Sequence, residues 1–214
     1  MKVIVFGAAG AIGRAITTEL LARGHTAIAA TRSGSPVAGL VVRAVTGDAS
    51  DPGSVARLAA GHDAVASATG PRRDGAEDPE DSLLGAARGL AEGLRRAGVS
   101  RLMVVGGAGS LRIAPGQRLL DSPDFPAAWK ATALAHARAL DEVYRGIEDL
   151  DWTYVSPARG TGPGERTGEF RVGGDELLVD EAGLSRISIP DFAIAFADEL
   201  EDGMAFRRRI TVAY

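Results

Sequence analysis

The chain has 214 residues, enough for one substantial core and hardly enough for two full domains, so a single domain over residues 1–214 is expected. It contains no cysteine, which excludes disulfides, iron–sulfur clusters and thiolate zinc sites and suits a reducing cytoplasm; no metal site is expected. A net charge of -4 argues against general nucleic-acid binding, and no segment resembles a signal peptide or a membrane span, so a soluble cytoplasmic protein without membrane or nucleic-acid partners is expected.

The first element is a strand, Lys2–Phe6, short, Val- and Ile-rich and closed by glycine, as suits a strand buried on both faces of a parallel sheet. Gly7, Gly10 and Gly13 follow at intervals of three, and Ile12, Ile16 and Leu20 recur at helical spacing, so a helix starts near Gly10 or Ala11. Strand, glycine turn and helix together make a pyrophosphate cradle: Gly7 for the tight turn, Gly10 for close backbone approach, Gly13 for helix–strand packing. The candidate contacts are Gly7, Ala9, Gly10, Ala11 and Ile12. The spacing is one residue wider at the front than the common dinucleotide fingerprint, and the bland alternative is an ordinary strand-to-helix turn.

The helix should end around Arg23-Gly24, and a second strand over residues 26–30 delivers Thr31, Arg32 and Ser33 to the sheet edge. No acidic residue stands there for a ribose 2'-hydroxyl, whereas Arg32 suits a 2'-phosphate, with Thr31 and Ser33 as hydroxyl donors; NADP(H) is expected over NAD(H). A third strand over residues 40–45 leads to Gly47, Asp48 and Ala49. Asp48 either stabilises the turn or accepts a hydrogen bond from an adenine amino group. Asp51 and Pro52 open the next helix. A fourth strand over residues 63–68 ends in Thr69, Gly70 and Arg72, where Gly70 permits backbone approach and Arg72 either reaches an anion or stays in solvent.

A helix over residues 80–97, closed by Gly98, crosses to the fifth strand, Arg101–Val105. Its glycine-rich exit, read as a flexible loop, offers Ser110 near the expected nicotinamide position, either as a catalytic hydroxyl or as a turn hydroxyl. Residues 115–126 read as irregular and substrate-facing. A single long helix over residues 127–147 carries Trp129, His136, Leu140, Val143 and Ile147 on one stripe, which makes His136 core-facing, although its place in the helix lets it border the site. The sixth strand, residues 151–155, opens into Ser156, Pro157 and Arg159 and a Gly- and charge-rich stretch to Gly174. Substrate-side segments are therefore expected at about 107–130 and 156–190. A helix over residues 190–201 and a strand over 209–213 complete the order, with Arg207, Arg208 and Arg209 read as the solvated approach to that strand.

Taken together, Gly7–Gly13, Gly47-Asp48, Val104–Ser110, Asp124-Phe125-Pro126 and Asp151–Pro157 resemble the atypical short-chain dehydrogenases that bind NAD(P)H. The likeness is strongest to the small NADH-flavin reductases and to biliverdin and flavin reductases of this fold, and it covers almost the whole chain. The resemblance implies an α/β fold, a doubly wound, mostly parallel Rossmann-like sheet with helices on both faces and a small C-terminal excursion. It also implies a bound nicotinamide dinucleotide contacted at Gly7, Gly10, Ala11, Ile12, Arg32, Asp48, Gly70 and Pro157, with Ser110 and Arg159 near the substrate. Trp129, His136 and Arg159 are the candidate substrate contacts.

One departure bears on the chemistry. Ordinary members pair a tyrosine with a lysine four positions later, the lysine lowering the phenol pKa for proton exchange with a carbonyl. Here Tyr144 is followed at that spacing by Glu148 and Tyr154 by Ala158, Tyr214 ends the sequence, and Lys130 is preceded by Pro126. A conjugated acceptor suits such a site, since it needs mainly proximity and orientation. The expected activity is NADPH-dependent reduction of a free, dissociable flavin or a similar planar acceptor such as a quinone. The alternative is a redox-sensing NADP-binding protein without turnover; an isomerase or epimerase using bound NAD comes third. Either a monomer or a homodimer is expected.

Overall fold

The computed structural model describes residues 1–71 and 78–214. Its first half runs β1 (Lys2–Phe6), α1 (Ala11–Ala22), β2 (Thr26–Thr31), β3 (Arg43–Thr46), α2 (Pro52–Ala59), β4 (Ala64–Ser67), α3 (Pro79–Ala97) and β5 (Arg101–Val105). The second half adds β6 (Arg112–Ala114), β7 (Gln117–Arg118), α4 (Ala127–Arg138), β8 (Asp151–Ser156), β9 (Gly160–Gly162), β10 (Arg171–Gly173), β11 (Arg186–Ser188), α5 (Ile189–Asp202) and β12 (Arg208–Ala213).

One eight-stranded sheet has the order β10-β12-β8-β5-β4-β1-β2-β3, parallel throughout except for the antiparallel edge strand β10. Alternation along β1 divides the core. Val3 and Val5 pack with Ile16 and Leu20 of α1 and Phe192 and Phe196 of α5. Ile4 and Phe6 face the other way, toward Val55 of α2 and Leu90 and Leu94 of α3, in a cluster that continues through Leu140 and Tyr144 to Tyr154 of β8. This is the doubly wound α/β arrangement, with both sheet faces covered, which is why its strands read as continuous apolar runs. Local signals set the helix ends: Asp51, Asp78 and Ser188 each accept a backbone N–H in the first turn, and Gly98 closes α3 with φ 67°.

Three expectations change. Pairing in the third strand begins only at Arg43, opposite Ile28, because Leu40 closes a turn on Val37 and Val41 points wholly into solvent. Residues 115–126 are less irregular than expected: Gln117–Arg118 pairs with Arg112–Ala114, and Leu119–Asp121 forms a 3-10 turn. The helix expected to reach residue 147 is α-helical only to Arg138, then widens into a π-turn (Ala139–Val143) and tightens into a 3-10 turn (Tyr144–Gly146). The local cause is a competing bond. The Tyr154 hydroxyl donates to the His136 carbonyl at 3.0 Å, and the Ala139 N–H is shared between the Ala135 and His136 carbonyls.

Candidate functional site

Strand order reverses at β1, which has β2 on one side and β4 on the other, so a crevice opens at the C-terminal ends of β1 and β4. The three glycines sit at its floor for separate reasons. Gly7 has φ 76°, and a Cβ there would stand 2.4 Å from the Ala68 carbonyl oxygen leaving β4. A Cβ on Gly13 would stand 2.2 Å from the Gly7 oxygen, so helix and strand touch backbone to backbone. Gly10 differs: a Cβ would meet only the Gly7 oxygen, at 3.4 Å, and otherwise project into open space. Gly10 is also the N-cap of α1, without a side-chain cap, and Ala9, Gly10 and Ala11 are exposed while Ile12 is partly buried. Uncapped N–H groups and the positive end of the helix dipole at an open backbone surface fit a pyrophosphate.

Beside this cradle, β2 ends in a turn closed by the Gly34 N–H on the Thr31 carbonyl. Arg32 and Ser33 are exposed on that turn, and the Thr31 carbonyl also receives the Gly47 N–H from the end of β3. The next residue, Asp48, is thereby brought to the same edge, where its Oδ1 accepts from the Ser50 N–H and hydroxyl; Ala49 is buried. At the end of β4 the Thr69 hydroxyl meets that of Ser67 at 2.9 Å, and Gly70 is exposed, with nothing among the described residues within 4 Å of where a Cβ would stand. Arg72 lies outside the described residues.

The exit of β5 is packed rather than loose, which corrects the reading of a flexible loop. A Cβ on Gly106 would lie 2.0 Å from the Tyr154 ring, one on Gly107 2.9 Å from the His136 Cβ, and one on Gly109 2.6 Å from the Ala133 Cβ. Glycine is needed here to let α4 down onto the loop. His136 faces the Gly107 backbone, with Nδ1 3.3 Å from the Tyr154 hydroxyl, and burial pushes its pKa down to about 4, so the imidazole is neutral near pH 7. Burial likewise pushes the Tyr144 and Tyr154 phenols well above their ordinary range.

Ser110 is buried, and its Oγ accepts from Arg209 Nη1 at 2.8 Å. Arg209 is not the solvated residue expected: its side chain is 3 % exposed and paired with Asp175, because it lies in register with Tyr154 on the face that carries α4. Burial alone would raise the Asp175 pKa, but Arg209, Arg145 and Arg112 hold it below the usual carboxylate range. The sequence reading missed Arg209, Asp175 and Tyr154 as site-shaping residues. The signal available for Arg209 was its place inside a strand followed by Ile210, Thr211 and Val212. Beyond β8, Pro157 is buried and Arg159 exposed, with its backbone N–H on the Ser185 hydroxyl; Trp129, expected on the stripe of His136, is 64 % exposed in the first turn of α4. Among the described residues no helix is long and apolar enough to cross a membrane, and no group of three or more His, Asp or Glu could hold a metal ion.

A family model described as NAD(P)H-binding matches residues 7–200. The uncharacterized protein YwnB of Bacillus subtilis (strain 168) is 36 % identical over 215 residues, covering 99 % of this chain and 98 % of that protein. Among solved structures, a protein of Burkholderia pseudomallei provisionally named an exported protein is 47 % identical with a TM-score of 0.90, covering 100 % of both chains. A protein of Streptococcus pneumoniae TIGR4 provisionally named an NADH-flavin reductase is 35 % identical with a TM-score of 0.83, covering 100 % of this chain and 99 % of that one.

Proposed function

Because the chain belongs to the NAD(P)H-binding family, among the atypical short-chain dehydrogenases and reductases, we propose that it is a reductase passing a hydride from NADPH to a dissociable flavin or a similar planar acceptor such as a quinone. The observation that carries this reading is the state of the inner tyrosines. Both phenols are buried with raised pKa, Tyr154 is spent on the His136 carbonyl, and neither has a lysine at the required spacing. A carbonyl substrate would need a proton donor that these groups do not supply. An acceptor whose reduced form is delocalised takes its proton from water and needs only to be held against the donor.

When bound, the dinucleotide would supply the hydride. In this reading the backbone of Gly7 to Ile12 holds the pyrophosphate, with Ala9 at the rim, and Arg32, with Thr31 and Ser33, receives the 2'-phosphate. Asp48 and Ala49 flank the adenine end, and Thr69, Gly70 and Pro157 line the path toward the exits of β5 and β8. Exposed Trp129 and Arg159 form acceptor-side walls, and neutral His136 and the packed glycines behind them keep that side rigid. The protein would act in the cytoplasm as a monomer or homodimer.

The test is to mix purified protein with NADPH and FMN, FAD, riboflavin, quinones and simple carbonyls and to follow loss of the reduced-nicotinamide absorbance. Oxidation by flavins or quinones above the protein-free rate is expected, with most of it kept in Tyr144→Phe and Tyr154→Phe. Tight NADPH binding without oxidation by any acceptor would replace the reductase with the redox-sensing reading. A large loss of kcat in a folded tyrosine variant would restore carbonyl-type acid catalysis.

A further inference from the structure

We propose that the cleft floored by β12 binds a small amphiphilic oxyanion, a phosphate or carboxylate head on an apolar body, at a site whose lining shares no residue with the cradle of Gly7 to Ile12 or with Thr31, Arg32 and Ser33. A cleft of about 230 Å³ lies there between the β6–β7 hairpin, the segment after α4, and β12. Its floor is Arg209, whose side chain is 3 % exposed. A guanidinium can only donate, so the Ser110 oxygen is the acceptor of their 2.8 Å bond, and the Ser110 proton is left without an acceptor among the described residues. A buried hydroxyl with an unused donor thus meets a buried guanidinium already held by Asp175, and an oxyanion in the cleft would accept from the hydroxyl beside that positive charge.

The walls extend the same chemistry. Arg112, Arg118 and Arg145 line the cleft, each with roughly half its side chain exposed. Asp175 is shared among three guanidinium groups, with Arg209 at 2.7 Å, Arg145 at 3.3 Å and Arg112 at 3.8 Å. The remaining carboxylates, Asp121 on Arg118, Asp141 on Arg145 and Glu176 on Arg112, are 41 %, 53 % and 63 % exposed. Exposed pairs of this kind are weak, and an incoming oxyanion offers the same arginines charge-assisted bonds in exchange.

Size and surroundings narrow the ligand. The cleft is smaller than the roughly 300–1,000 Å³ of sites that enclose a whole organic ligand, so it accommodates a head group. Arg112 and Glu176, paired with each other, also border a groove of about 540 Å³ otherwise lined by Ile113, Ala114, Pro115, Leu177 and Val179, where an apolar body can lie. Ile113 and Val179 are 39 % and 42 % exposed, so the groove can be reached from solvent.

Calorimetric titration of the intact protein with inorganic phosphate, hexyl phosphate and hexanoate, at matched ionic strength and with NADPH present to fill the crevice, tests the assignment. Hexyl phosphate is expected to bind at least tenfold more tightly than phosphate. Arg118→Gln with Arg145→Gln should weaken both at least tenfold, and Val179→Asp should weaken hexyl phosphate alone. Comparison of hexanoate with hexyl phosphate identifies the preferred head. No binding of any probe overturns the proposal, as does binding unchanged in the folded double arginine variant. Binding that survives in that variant and is seen only when NADPH is left out would assign the anion to the pyrophosphate loop instead. The outcome is independent of whether NADPH is turned over.

Discussion

At Gly10 the absence of a side chain faces outward rather than into a neighbouring element. Gly10→Val should therefore leave the fold standing, since the backbone is extended there and a Cβ would meet only the Gly7 oxygen at 3.4 Å. The same side chain would occupy the surface a pyrophosphate must approach, so dinucleotide affinity should fall at least a hundredfold with little change in Tm. Unchanged affinity by calorimetric titration would remove Gly10 from the cradle. Arg32 sets the second expectation at this scale. The wild type should prefer NADPH to NADH, and Arg32→Asp should reverse that order by exchanging a charge-assisted contact for repulsion. Equal affinities in the wild type, measured by the same titration, would detach Arg32 from cofactor choice.

Between residues and molecule lies the joint at the exit of β5, where Gly106, Gly107 and Gly109 leave no room for an added side chain against β8 and α4. Gly106→Ala would place a methyl 2.0 Å from the Tyr154 ring, against an aromatic fixed by its bond to the His136 carbonyl. Overpacking of that kind costs about 1–3 kcal/mol, and urea unfolding should register it. Gly146→Ala is the informative contrast. Nothing lies within 4 Å of the added methyl and the backbone is not left-handed, so a gain of about 0.4–1 kcal/mol is expected from the stiffer unfolded chain. The same joint shows where sequence reasoning ended. Strand β1, the capped start of α2 and the Gly98 stop of α3 were legible because each is written within a few neighbouring residues. The π-turn was not, because its cause is a phenol 18 residues away, and the apolar stripe continues through it undisturbed. Arg209 escaped for the same reason: its partner Asp175 is 34 residues distant, and a run of three arginines resembles a solvated stretch when read alone.

The whole molecule should respond to acid in two steps. His136 has its pKa lowered in the fold from 6.5 to about 4, so the unfolded chain binds the proton first and stability falls as pH drops from about 6.5 toward 4. Asp191 supplies the second step. Burial alone would raise its pKa, yet bonds from the Gly168 and Thr167 N–H groups and from the Thr167 and Tyr214 hydroxyls hold it below the usual value. Its contribution is therefore present above the ordinary carboxylate pKa of about 3.9 and lost as pH falls through the lower, folded value. His136→Gln should flatten the first part of a Tm-against-pH curve and Asp191→Asn part of the second. Persistence of the upper step in folded His136→Gln would assign it to other groups. The Asp191 network joins the start of α5, residues 167–168 and Tyr214, three places the sequence alone did not connect.

Glycines 106, 107 and 109 are pinned by Tyr154, His136 and Ala133, and that bears on what docking there would cost. A loop already immobile has little backbone entropy left to surrender, so an acceptor arriving beside it forfeits little of its contact energy to ordering. The Gly106 amide, bonded to the Val155 carbonyl, should exchange its hydrogen on the slow timescale of the central strands. Gly116 at the hairpin tip, with nothing within 4 Å of where a Cβ would stand, should exchange quickly, so two glycines ten residues apart will differ by orders of magnitude in how often their backbone opens.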